Sequence, residues 1–276
     1  MQATPVNVEG IYSFQDNLKI SHAVSTGNTV YVSGQIALDP DGNVVGEGDV
    51  EAQGDYIWGN IQKVLRAAGA GMDDVVKVFQ FVVGRENFAG MARSRRKVLG
   101  DEPFRATTAI VVAGLMRPEL LLEVDVIAVI GAKGCQAGEN KERFGHWRSI
   151  KTEGIYSYPS NLKIAHSVRV GNTVHISGQT ARRPDGTVAG KGDVEVQADL
   201  MWDNIEKVLA DAGATIDDIV KVFQFVVGAD NFAGMTRARR RALGEERLRA
   251  VTSLVVSGLA QPDLLLEIDV IAVVGD

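Results

Sequence analysis

The chain repeats itself. The segment EGIYSFQDNLKISHAVSTGNTVYVSGQ, beginning at Glu9, returns as EGIYSYPSNLKIAHSVRVGNTVHISGQ, beginning at Glu153. The offset of 144 residues never slips: VVKVFQFVVG recurs as IVKVFQFVVG, NFAGM returns intact, and LLLEVDVIAV returns as LLLEIDVIAV. About two-thirds of the aligned positions match without a gap, well beyond chance for a unit of this length. A solenoid would need several shorter units, so two long copies mean two duplicated domains, residues 1–131 and 153–276. The stretch between them, residues 132–152 (AKGCQAGENKERFGHWRSIKT), reads as a linker with no counterpart in the repeat. Fully extended, about 20 residues span roughly 65 Å, so the copies are not obliged to touch.

Within one copy, the apolar pattern predicts strands at Leu18–Val24 and Thr29–Ser33 around a Gly27-Asn28 turn. Asp49 reads as a helix N-cap; Ile57, Ile61, Val64, Leu65 and Ala68 recur at helical spacing, and Gly69 is placed to stop the helix. A strand at Val75–Val83, a helix at Asn87–Leu99, and strands at Arg105–Val112 and Leu120–Ile130 follow. That order implies an α+β layer, a mixed sheet with two helices on one face. In VKVFQFVV both faces carry apolar groups, so the second face is expected to be covered by a neighbour and the chain to form a homo-oligomer.

Composition narrows the function. Twenty-nine Lys+Arg against thirty-five Asp+Glu give a net charge of −6, which offers no long-range attraction to nucleic acid or an anionic membrane. No apolar run approaches the roughly 20 residues of a membrane span. MQATPVNVEG lacks the features of a signal peptide, so a cytoplasmic location is expected. The single cysteine, Cys135, excludes an intrachain disulfide framework and reads as an incidental linker thiol. With four histidines, no metal is expected. His22 and His166 read as satisfied structural groups, and the basic runs Arg93, Arg95, Arg96, Lys97 and Arg237, Arg239, Arg240, Arg241 as solvated helix faces.

The run GNTVYVSGQ, the helix end LRAAGAGMDDVVKV, the strand opening at Arg105 and the closing LLLEVDVIAV together resemble the RidA (YjgF) family, over nearly the whole of each copy. The resemblance implies two tandem chorismate-mutase-like domains and a trimeric assembly with clefts between neighbours. Three domains close such a ring, so the expectation is a trimer of two-domain chains, a first-copy ring stacked on a second-copy ring. It also implies a cofactor-independent hydrolysis of enamines and imines, such as 2-aminoacrylate, to 2-oxo acids and ammonia.

Carried over residue by residue, the family's active-site arginine matches Arg105 and Arg249. Its water-orienting glutamate matches Glu123 and Glu267, and its Ser-Gly-Gln motif matches Ser33, Gly34 and Gln35, then Ser177, Gly178 and Gln179. The family's cleft tyrosine is replaced by Ile20 and Ile164, and a cysteine by Thr107 and Val251, so a substrate less polar than the archetype's is expected. The chemistry is coherent without the name: a guanidinium grips a carboxylate bidentately, and a carboxylate orients water and moves protons. Glu123 and Asp125 are read as pointing to opposite faces of the last strand, one functional and one an ion-pair partner. Two other functions remain in view: a ribonuclease or translation inhibitor, and a non-catalytic small-molecule binder.

Overall fold

A computed structural model describes residues 2–14, 18–100, 104–132, 147–244 and 248–275. Cys135 lies outside the described residues. The first copy runs β1 (Thr4–Val6), β2 (Ala23–Thr26), β3 (Thr29–Ile36), α1 (Val50–Ala67), β4 (Val75–Val83), α2 (Phe88–Leu99), β5 (Arg105–Val112) and β6 (Leu122–Val129). Its sheet has the order β1-β2-β3-β6-β4-β5, with β4 and β5 parallel because α2 crosses between them. The second copy comprises β7 (Trp147–Ile150), β8 (Ile164–Ala165), β9 (Ser167–Val170), β10 (Thr173–Ile176), β11 (Gln179–Thr180), α3 (Val194–Asp211), β12 (Ile219–Val227), α4 (Phe232–Leu243), β13 (Ala250–Val256) and β14 (Leu266–Val273). Both helices of each copy lie on one sheet face. Asp49 caps α1 by accepting from the N–H groups of Glu51 and Ala52, and Ile57, Trp58, Ile61, Val64 and Leu65 are fully buried against the sheet.

Two expectations about elements change. The first-copy segment Leu18–Ser21 is not a strand; β2 begins at Ala23. Its second-copy counterpart includes β8, which pairs in parallel with β5 of the first copy, Arg105 opposite Ile164 and Ala106 opposite Ala165. The segment is thus a strand only where a neighbouring edge supplies its hydrogen bonds. The end of the stretch read as linker is strand β7, which pairs with β9 in the register that β1 keeps with β2. The repeat therefore reaches back to Trp147.

The copies pack side by side. Thr107 N–H donates to Ser177 Oγ (2.8 Å), and Gly178 N–H donates to Thr107 O (3.2 Å) and Thr108 Oγ1 (3.0 Å). Phe79 and Phe223 meet edge to face at 5.6 Å. Lys77, fully buried, pairs with Asp269 across the contact and donates to Ile176 O (2.6 Å) and Thr108 Oγ1 (3.1 Å). The neighbour that covers the second face of β4 is thus the other copy of the same chain. The edge of β5 that a ring of like copies would use is paired here with β8 of the second copy. The corresponding second-copy edge, β13, leaves Val251, Leu254 and Val255 exposed.

Removing one member of a buried ion pair strands the other. Lys77→Met is expected to destabilise the protein by about 3–5 kcal/mol in chemical denaturation, with Lys77→Met/Asp269→Leu recovering most of the loss.

Candidate active site between the two copies

Where β5 pairs with the second copy lies a cleft of ≈ 500 Å³, mostly apolar in its lining. One wall comes from α2 and β5, with Phe88, Met91, Arg95 and Thr107; the other comes from Tyr158, Leu162, Ile164, Gly178, Arg182 and Glu267. Gly178 explains the Ser-Gly-Gln motif physically. A Cβ there would lie 1.8 Å from Glu267 Oε1, so only glycine leaves room for the carboxyl group. Tyr158 Oη donates to Gly178 O (2.6 Å), and burial raises the Tyr158 pKa, keeping the phenol a neutral donor. Ser177 is used differently: its hydroxyl donates to Ala165 O (2.5 Å) and accepts from Thr107 N–H, so it joins the copies behind the cavity.

Glu267 is buried, 4% exposed. Burial pushes its pKa up to about 8, opposed in part by the Arg182 guanidinium and the Ala109 backbone N–H. At neutral pH it is a carboxylic acid, able to give a proton and then, as carboxylate, to orient water. Asp269, two residues on, lies on the same face of β14, as strand periodicity requires, and this corrects the opposite-face reading. Asp269 is the ion-pair member and Glu267 the cavity member.

The structure brings Glu267, Gly178, Thr107 and Ile164 together at the cavity. It does not bring Arg105 there. The Arg105 guanidinium donates to Leu99 O and Met72 O (both 3.3 Å) and lies 5.1 Å from the Trp147 ring. Burial lowers its pKa to about 10, still charged. Carbonyls at the end of α2 and before β4, together with a buried indole, hold its terminal nitrogens where the resemblance had it gripping substrate, while its Nε is buried without a hydrogen bond to a described residue. Arg249 repeats the arrangement, donating to Ile216 O (3.2 Å). Glu123, Ser33, Gly34 and Ile20 are the equivalents on the first copy, with a Cβ at Gly34 falling 2.0 Å from Glu123 Oε1, and none of them lines this cavity. Val251 is exposed on β13. His22 and His166 are structural, accepting from the N–H groups of Val8 and Thr152 (3.0 and 2.7 Å).

Three cavity residues escaped the sequence reading. Arg95 belongs to the helix stretch read as a solvated face, and Arg93 and Lys97 there do pair with Glu51. Arg95 instead is buried, donating to Gln80 Oε1 (2.6 Å) and, across the copies, to Leu162 O. Its spacing of four from Met91 and from Leu99 placed it on the apolar face. Arg182 and Tyr158 stand where the first copy has Leu38 and Phe14. Differences between near-identical copies carried the signal.

Fold and cleft define a class: paired α+β domains that shelter a carboxylic acid between them. The family model described as Endoribonuclease L-PSP matches residues 15–130 and again 159–274, and the chain belongs to that family, with two copies of its domain. A RutC family protein of Sulfurisphaera tokodaii is 34% identical over 114 residues, 41% of this chain and 87% of the relative. A 2-iminobutanoate/2-iminopropanoate deaminase of Dermatophagoides farinae is 34% identical over 110 residues, 40% of this chain and 84% of the relative. The crystal structure of a chorismatase superposes with a TM-score of 0.68 at 16% identity over 91% of this chain and 76% of its own, a likeness of fold across both domains. The RidA resemblance and the tandem α+β architecture stand. Among the described residues, no helix is long and apolar enough to cross a membrane, and no group of three His, Cys, Asp or Glu side chains could hold a metal ion.

A raised carboxyl pKa has a sign. The folded state holds the Glu267 proton to about pH 8 whereas the unfolded chain releases it near 4.5. Its contribution to stability is therefore complete below pH 4.5 and is lost as pH rises through 8. Between about pH 5 and 9, wild type should lose on the order of a few kcal/mol relative to Glu267→Gln, read by denaturation at each pH.

Proposed function

We propose that the protein is a cofactor-independent hydrolase that converts carboxylate-bearing imines and enamines to the oxo compound and ammonia in the cleft between its two copies. The observation that carries this reading is Glu267, a buried acid on the wall of a mostly apolar cleft, with burial raising its pKa to about 8. The acid protonates the substrate, at the imine nitrogen or the terminal carbon of the enamine, so both enter as an iminium. The Glu267 carboxylate then takes a proton from water as its oxygen adds to the iminium carbon, giving a carbinolamine. Returning that proton to nitrogen lets the C–N bond break; ammonia leaves as the Glu267 carboxylate takes the hydroxyl proton, so the carbonyl forms and the acid is restored. An iminium is already electrophilic, so one positioned acid/base group suffices, typically contributing about 10²–10⁴-fold. The imine deaminase among the relatives supports this reading. A ribonuclease is less well supported, since the net charge of −6 and a small, mostly apolar cavity do not suit a polyphosphate strand.

The test is ammonia release at about pH 7 from 2-aminoacrylate and 2-iminobutanoate generated in situ. Wild type should accelerate it, and Glu267→Gln should lower kcat/KM by about 100-fold or more while retaining the fold. Glu123→Gln should remain within about threefold of wild type. Equal turnover by wild type and Glu267→Gln would overturn the assignment, and no acceleration by wild type of either these substrates or 2-imino-3-phenylpropanoate would leave a binder.

A further inference from the structure

The copies are so alike that their differences inside the cleft are informative. Glu267 and Glu123 each sit over a glycine, in nearly the same geometry. The surroundings of Glu267, however, carry Tyr158, Thr180 and Arg182, where the first copy has Phe14, Ile36 and Leu38. All three polar replacements line the interdomain cavity that Glu267 faces. We propose that Arg182 is the carboxylate anchor of this chain, and that the cavity takes one molecule per chain of a 2-imino acid with a large apolar side chain. The assignment rests on the hydrolase reading above and deepens it.

Arg182 is built to receive an anion. It is 8% exposed, its Nε donates to Thr180 Oγ1 (3.0 Å), and its Cζ lies 3.8 Å from the centre of the Tyr156 ring. Those contacts fix the stem and leave the two terminal nitrogens without a hydrogen bond to any described residue. Of the other arginines lining the cleft, Arg95 is held by Gln80 and Leu162 and Arg93 by Glu51, and Arg96 is exposed on α2 rather than buried as Arg182 is. Glu267 does not neutralise Arg182 at neutral pH, because burial keeps the acid protonated. The two terminal nitrogens open onto the cavity, where an incoming carboxylate can accept two charge-assisted hydrogen bonds from one guanidinium. In a 2-imino acid the carboxylate adjoins the imine carbon, so anchoring one end at Arg182 presents the other to Glu267 on the same wall.

Size and lining set the side chain. A three-carbon imino acid has six non-hydrogen atoms and needs at most about 180 Å³, taking roughly 30 Å³ for each. The cavity holds ≈ 500 Å³, and Phe88, Met91, Leu162 and Ile164 face the remainder. An aromatic or long branched side chain fills that space; a methyl group does not. The Glu123 half-site, with Leu38, Ile36 and Phe14, offers no such cation.

Calorimetric titration with stable 2-oxo acids separates anchor from reaction, because it needs no turnover. Phenylpyruvate should bind once per chain and at least tenfold more tightly than pyruvate. Arg182→Leu, which installs the residue the first copy already carries at this position, should weaken phenylpyruvate about 10- to 100-fold with little change in the thermal midpoint. Phenylpyruvate binding undiminished in Arg182→Leu, two molecules per chain, or equal affinity for pyruvate would overturn the proposal. The two readings then come apart. Arginine-dependent binding without hydrolysis of 2-imino-3-phenylpropanoate sustains the anchor and removes the reaction. Hydrolysis by wild type with Arg182→Leu unimpaired in binding and turnover removes the anchor and keeps the reaction.

Discussion

An open sheet edge leaves a row of backbone donors and acceptors that must find partners, and here the edge of β5 finds them in the second copy of the same chain. Ser177 is the hinge of that contact. Its hydroxyl accepts from Thr107 N–H and donates to Ala165 O, tying the strand edge of one domain to two segments of the other. Gly178 N–H then reaches Thr107 O, which brings Glu267 against β5. The cavity exists because these bonds exist. Nothing in either domain alone encloses it.

The same contact explains why a buried acid is tolerated. Beside Glu267 the interface already holds the Lys77–Asp269 pair, so a second fixed negative charge there would face one in place and little water. Protonating Glu267 avoids that arrangement, and the proton is what imine chemistry needs. Duplication adds a further freedom. In an assembly of identical domains every cleft has the same walls, whereas two linked copies can diverge. The Leu38/Arg182, Ile36/Thr180 and Phe14/Tyr158 differences fall together around one cavity and give this chain one polar cleft and one apolar half-site.

Much of this was legible in the sequence. The unbroken 144-residue offset revealed the two domains, Asp49 and Gly69 bounded α1, and the VKVFQFVV run foretold a strand buried on both faces. Gly178 and Glu267 were each legible through the resemblance, though their contact was not. What was not legible depends on contacts made at a distance. Leu18–Ser21 and Leu162–Ala165 carry almost the same residues, yet only the second has an edge beside it. Arg105 occupies the position of a cleft residue, but Trp147 and two helix-end carbonyls offer its guanidinium a nearer set of partners, and Trp147 lay in a stretch read as linker. Arg95 was hidden among charged neighbours that really are solvated.

The central claim is that the working site lies within one chain, between its copies. The most direct measurement is a crystal structure of the protein with phenylpyruvate. The account predicts density in the interdomain cavity, with the carboxylate on the Arg182 guanidinium and the oxo group facing Glu267. A ligand held by Arg105, or one seated at the Glu123 half-site with the interdomain cavity left unfilled, would contradict it.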